Sequence, residues 1–266
     1  MAMRLVFAGL QHGGTLGDPA ANLAVLEAAA EAARAAGADL LVTLVMFLTG
    51  YNVGAALPGL VDDDTVVTLA AMARRHHIAI VAGGPERSED GGIANAAFFV
   101  DADGELLDCY RKTHLFGDLD RAMFVAGDTL FPPVEYRGVR ISIMICDDVE
   151  FPETVRAAAL AGADLILVPT AQMEPFAAIA NRLIPVRAWE SQVYIAYVNR
   201  CGSENGLRYV GLSSIVAPSG EVLDARGSED TGLVIAKIDP DVVRQSRLEN
   251  PYLADRRPTL YAASDE

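Results

Sequence analysis

Three largely apolar runs, VRISIMI from Val139, LILV from Leu165 and VYIAYV from Val193, constrain this chain more than any other feature. Strands that do not alternate between apolar and polar residues are buried on both faces, an arrangement found where helices cover a mainly parallel sheet. The intervening stretches read as those helices: residues 152–161, closed by Gly162, and residues 177–191, interrupted near Pro185. The first half repeats the alternation. Residues 4–10 form a strand, 22–36 an Ala- and Glu-rich helix, and 39–45 a strand entered through Gly37. A helix over 64–76 and a strand over 78–82 follow, then a hairpin of 96–101 with 106–111 turning at Asp103-Gly104. A polar loop over 113–128 precedes the three runs, and further strands over 212–216 and 232–238 follow them. The class is α/β, with no linker, repeat or low-complexity segment dividing the chain. A single domain over 1–266 is expected, with a Pro-containing tail from about residue 250 that docks elsewhere.

With 52% hydrophobic and 21% charged residues over 266 positions, the chain can bury a large core. Its net charge of −15, without a Lys/Arg cluster, argues against a nucleic-acid partner. The N-terminus lacks the pattern of a signal peptide and no apolar run reaches membrane-spanning length, so a cytoplasmic protein without a membrane partner is expected. Cys109, Cys146 and Cys201 are three and widely spaced, which suggests neither a disulfide framework nor a zinc site. His76-His77 closes a helix, where a cation suits the dipole, and no spaced acids beside it suggest a metal. Gly13-Gly14 and Gly83-Gly84 read as turns at strand ends, and Trp189 as a core or subunit contact. No cofactor motif is present.

The candidate chemistry lies at strand ends. Cys146 stands where the run ISIMI meets a helix beginning near Phe151-Pro152-Glu153, a join at which backbone N–H groups can point at an oxyanion and a helix N-terminus lowers a thiol pKa. A free cysteine there also fits a small buried hydrophobe. Taken alone, Lys112 in YRKTHLFG reads as a solvated charge and Asp120 as a loop acid.

Together, YRKTHLFG, ICDDVEFPE, ADLILVPTAQMEP, RAWESQVYIAYVNRCG and YVGLSSIVAPSGEVL occur in an order that resembles the nitrilase, or carbon–nitrogen hydrolase, superfamily, and most closely its aliphatic amidase-like branch. The resemblance implies a four-layer αββα sandwich, assembled as dimers or larger oligomers through outer helices and the C-terminal tail. It also implies a Glu–Lys–Cys triad in which Cys attacks an amide or nitrile carbon, Lys stabilises the oxyanion and Glu handles the protons. Cys146 matches the nucleophile, Lys112 the lysine, and Asp120 falls near a supporting second acid. Tyr51, Thr170 and Glu174 fall among the pocket positions for a small-molecule ligand.

The general base is missing. The family pattern of Pro-Glu before a short apolar turn to Gly-Tyr becomes Leu44-Val45 in LVTLVMFLTGYN, so Val45 stands at the place of the catalytic Glu. A second departure follows the nucleophile: an aromatic residue is usual there, and this chain has Asp147 before the structural acid Asp148. Asp147 also fits an N-cap role. General acid–base catalysis supplies about 10²–10⁴-fold, or roughly 2.7–5.4 kcal/mol of barrier. Loss of the base should stop release of the acyl enzyme by water before it stops acylation. The leading expectation is therefore a repurposed enzyme using Cys146, Lys112 and Asp147 for acyl transfer, condensation or cyclisation. The alternatives are a ligand-binding or assembly pseudoenzyme, and an amidase whose base is replaced by Asp147, Asp120 or His12.

Overall fold

A computed structural model describes residues 4–88, 90–130 and 132–261. Its framework is a pair of six-stranded sheets. In the first, β1 (Leu5–Gln11), β2 (Leu40–Val42) and β3 (Ala79–Arg87) run parallel, and β4 (Ile93–Val100) and β5 (Leu106–Arg111) extend the sheet antiparallel. Helices α1 (Pro19–Ala35) and α2 (Thr65–His76) make the crossovers, and short α3 (Gly117–Arg121) interrupts the loop after β5.

The second sheet has the same plan. Strand β6 (Val134–Tyr136) pairs antiparallel with β7 (Val139–Ile143), which runs parallel to β8 (Leu165–Pro169) and β9 (Tyr194–Val198). Helix α4 (Pro152–Leu160) links β7 to β8, and α5 (Ile184–Ser191) links β8 to β9. After a small ribbon of β10 (Ser203–Glu204) and β11 (Leu207–Arg208), β12 (Ser214–Val216) and β13 (Val222–Ala225) complete the sheet. The chain then returns to the first sheet as β14 (Gly232–Ile238), antiparallel to β1, and ends in α6 (Pro240–Glu249) and α7 (Pro258–Tyr261).

Three buried layers show why the strand runs are apolar on both faces. Phe7, Val42, Val81, Ile143, Leu167 and Ala196 pack between the two sheets. Leu41, Ile80 and Phe98 face α1 and α2 through Leu26 and Leu69, whereas Ile166 and Ile195 face α4 and α5 through Val155 and Ile184. The order is helix, sheet, sheet, helix, so the expected αββα sandwich is the observed fold.

Several boundaries differ from the sequence reading. The strand expected over 39–45 pairs only as Leu40–Val42, and Val45 opens a turn instead. The helix expected over 177–191 begins as a wide π turn, Ile179–Leu183, with Pro185 in the first turn of α5. A proline lacks the N–H that a helix interior would require, and at a first turn none is required. Helix α6 was not anticipated, although Asp239 caps it by accepting from Asp241 N and Pro240 opens it. Among the described residues no helix is long and apolar enough to cross a membrane, and no group of three or more His, Cys, Asp and Glu residues could hold a metal ion.

Candidate active site

Both sheets deliver side chains to one end of their shared core. Strand β7 ends at Ile143, and three residues later the chain turns sharply at Cys146, whose φ is +50°. A non-glycine residue rarely adopts this left-handed region, and strain of this kind gathers at functional turns. Asp148 locks the turn by accepting from Ile145 N at 3.0 Å, His114 N at 2.8 Å, the Thr113 hydroxyl at 2.8 Å and the Tyr110 hydroxyl. The capping function considered for Asp147 therefore falls to Asp148. The Asp147 carboxylate has no hydrogen-bond or ion-pair partner among the described residues.

Cys146 is 6% exposed. Burial raises its thiol pKa, opposed by the Lys112 ammonium, by the Ala171 N–H and by the Thr170 hydroxyl. The expectation of a thiol acidified by a helix N-terminus is corrected here. A 3₁₀ turn, Cys146–Glu150, separates the sulfur from α4, and burial outweighs the nearby charge. Attack by this thiol therefore calls for a proton acceptor.

Lys112, one residue beyond β5, is fully buried and ion-paired with Asp120 of α3, also fully buried. Asp120 also accepts from the Tyr51 hydroxyl at 2.5 Å and from Phe116 N at 2.9 Å. Burial works against the charge on Lys112, but Cys146 and Asp120 beside it hold the ammonium pKa above its ordinary value. Lys112 can therefore serve as a fixed cation for a developing oxyanion and not as a base. Asp120, committed to three donors, is poorly placed to collect a proton.

Val45 occupies the other side of the core. It is fully buried in the cluster that contains Cys146, Tyr51 and Tyr110. The turn it opens is tightly held: Met46 has φ +49°, Gly50 N donates to Met46 O at 2.9 Å, and Leu48 N donates to Gly83 O at 3.0 Å. Gly83 has no side chain because a Cβ there would lie 2.4 Å from Leu44 O. From the small ribbon, Glu204 of β10 accepts from Tyr51 N at 3.1 Å and Asn52 N at 3.2 Å while paired at 2.5 Å with Arg200, which is buried and donates to Met46 O at 3.3 Å. Sequence reasoning missed both Arg200 and Glu204.

The other expected residues divide. Thr170 lies against the thiol. Glu174 does not enter the cluster: its side chain is 57% exposed and pairs with Arg208 at 3.3 Å, which corrects its placement in the pocket. His12 is engaged with its own loop. Its Nδ1 accepts from Gly14 N at 2.8 Å, and burial, followed by the charge of Arg200, lowers its pKa.

Glu150 was also missed. It ends the turn begun by Cys146, and its carboxylate accepts from the Gln172 amide at 3.3 Å, while the Gln172 oxygen lies 4.0 Å from the Cys146 sulfur. Burial, then the neighbouring Asp147, raises its pKa to about 7.

Residues 7–248 match the carbon–nitrogen hydrolase family, and the chain belongs to it. It is 49% identical to the hydrolase in the pqqF 5′region of Pseudomonas protegens, over 92% of this chain and 86% of that one. It is similar to an amidase from a Nesterenkonia species, at 35% identity with a TM-score of 0.89 over 99% of this chain and 97% of that one. A variant of that amidase with one glutamate replaced by leucine was solved with the acetamide moiety of fluoroacetamide added covalently at the active site cysteine. It matches with a TM-score of 0.87 at 35% identity, covering 98% of this chain and 97% of the variant.

Proposed function

We propose that this protein is an amidase, cleaving the C–N bond of small aliphatic amides through a thioester on Cys146, with its proton acceptor supplied from outside position 45. The observation that carries this reading is the retained constellation around the thiol. Cys146 sits on a strained turn, Lys112 is a buried cation beside it, and Asp120 and Tyr51 fix that cation in place. Burying such a pair costs several kcal/mol per ion before its mutual attraction is counted, so a site relieved of function would readily lose it. Cys146 sulfur attacks the amide carbon and Lys112 receives the charge on oxygen, with the Ala171 N–H directed at the sulfur. The Nesterenkonia variant supports the nucleophilic half, since its cysteine takes up an acetamide group with leucine at a glutamate position. The same is proposed for Cys146 in the presence of Val45. The small-molecule ligand is the amide itself. Assembly through the C-terminal tail is supported by exposed Trp189, Tyr252 and Tyr261.

Amide hydrolysis was an alternative on the sequence alone, and kinship with hydrolases and amidases favours it over transfer chemistry or a binding scaffold. The test is ammonia release from butyramide or propionamide, with the acyl adduct on Cys146 followed by peptide mass spectrometry. Release that vanishes in Cys146→Ala supports the reading. Neither adduct nor ammonia with any short amide would overturn it.

A further inference from the structure

The turn that begins at Cys146 carries two acids of its own, Asp147 and Glu150. Cys146–Glu150 forms a 3₁₀ turn, and in such a turn residues three apart lie one above the other, which puts Asp147 and Glu150 on one face of the turn that carries the thiol. Asp147 makes no hydrogen bond or ion pair among the described residues, and Glu150 accepts only the Gln172 amide at 3.3 Å. The same Gln172 side chain reaches the sulfur at 4.0 Å through its oxygen. Gln172 is itself fixed, its N–H donating to the Asn199 side chain at 2.8 Å. One glutamine therefore sets the spacing between the thiol and an uncommitted carboxylate.

We propose that Glu150 is the catalytic acid–base residue of this site, with Gln172 and Asp147 as positioning residues. The inference rests on the amidase reading. In acylation the Cys146 S–H proton passes by way of Glu150 to the amide nitrogen, as the S–C bond forms and the C–N bond breaks. In deacylation Glu150 takes a proton from the attacking water, the O–C bond forms and the thioester C–S bond breaks. The sulfur recovers its proton from Glu150, and amide plus water has become acid plus amine. The charges facing Glu150 suit both directions. Asp147 on its own turn disfavours the ionised form. Lys112 from the end of β5 and Arg187 from α5 favour it, although Arg187 is also shared with Glu190 at 2.8 Å. Tyr197 of β9 faces it as a neutral phenol, raised well above its ordinary pKa by burial. The resulting value of about 7 lets the group accept and return a proton near neutrality.

The test uses p-nitrophenyl acetate on the full chain, because an activated ester acylates a live thiol whether or not any amide is a substrate. The burst of nitrophenolate measures acylation and the slow phase measures deacylation. The expected native result is a burst close to one equivalent, then a slow phase that rises with pH around a midpoint near 7. Glu150→Gln should keep the burst amplitude but lower its rate, slow the second phase by about 10²-fold and flatten its pH dependence. Asp147→Asn should keep the second phase and move its midpoint to lower pH, since a like charge has been removed. The burst amplitude counts folded sites in each variant. An unchanged slow phase and midpoint in Glu150→Gln would overturn the role of Glu150 and leave the amidase reading standing. No burst from the native protein, with Cys146 unmodified, would overturn both.

Discussion

The turn at Val45 and the turn at Cys146 belong to different sheets. The first follows β2, which has parallel neighbours on both sides, and the second follows β7, which lies next to the antiparallel edge strand β6. Each carries a non-glycine residue in the left-handed region, Met46 at φ +49° and Cys146 at φ +50°. Each is braced by a buried carboxylate, Glu204 for the first and Asp148 for the second. They differ in what they present. The Cys146 turn carries a thiol with Asp147 and Glu150 on the same 3₁₀ turn, and the Val45 turn offers a fully buried aliphatic side chain in an apolar cluster. The difference teaches that the bracing of such a turn does not depend on its presenting an ionisable group. Leu44 and Val45 are fully buried and apolar, while Arg200, Glu204 and Gly83 hold the backbone.

Val45→Glu is the strongest way to break the contrast. Restoring a carboxylate to an already braced turn should raise deacylation by about 10²–10⁴-fold and make turnover independent of Glu150. The same change puts a charge into a fully buried position, so thermal stability should fall. Stopped-flow rates with an activated ester and a melting curve check both effects. No gain in deacylation would mean that the Val45 turn no longer points into the reacting space. Glu204→Gln sharpens the contrast from the other direction. It leaves the Arg200 charge buried and unpaired, a loss of about 3–5 kcal/mol of folding stability measurable by urea titration. Since Arg200 and Glu204 brace the Val45 turn, the Cys146 burst per folded chain should be affected much less than stability.

The strand–turn–helix at Cys146 was legible because the apolar run ends abruptly before the polar residues Asp147 and Asp148 and a helix-opening Pro152. The Val45 turn was less legible. Its residues are as apolar as the strand before it, and a fully buried turn looks like a continued strand until the hydrogen bonds show that the ladder has stopped at Val42. Helix α6 carried a readable start in Asp239-Pro240, but the polarity of its remaining residues obscured the period. Glu150 also left a signal, lying three residues after Asp147 and four after the nucleophile; nothing local identified that turn as 3₁₀. Arg200 and Glu204 were beyond reach, because their contacts with the Val45 turn join positions more than 150 residues apart in sequence.

The smallest expected effect concerns which acids belong to the Cys146 turn. Glu174 follows β8 only a few residues beyond Thr170 and Gln172, both of which lie near the sulfur, yet its carboxylate points to solvent and meets Arg208 in a pair that is more than half exposed on both sides. Exposed pairs contribute about 0–1 kcal/mol, and Arg208 retains Glu229 at 2.8 Å as a second partner. Glu174→Ala should therefore change stability by less than about 0.5 kcal/mol and leave both phases of ester turnover within error of the native protein. A tenfold loss in the slow phase would place Glu174 among the groups that handle protons. The distinction between the acids carried on the Cys146 turn and the acid turned away from it would then have to be redrawn.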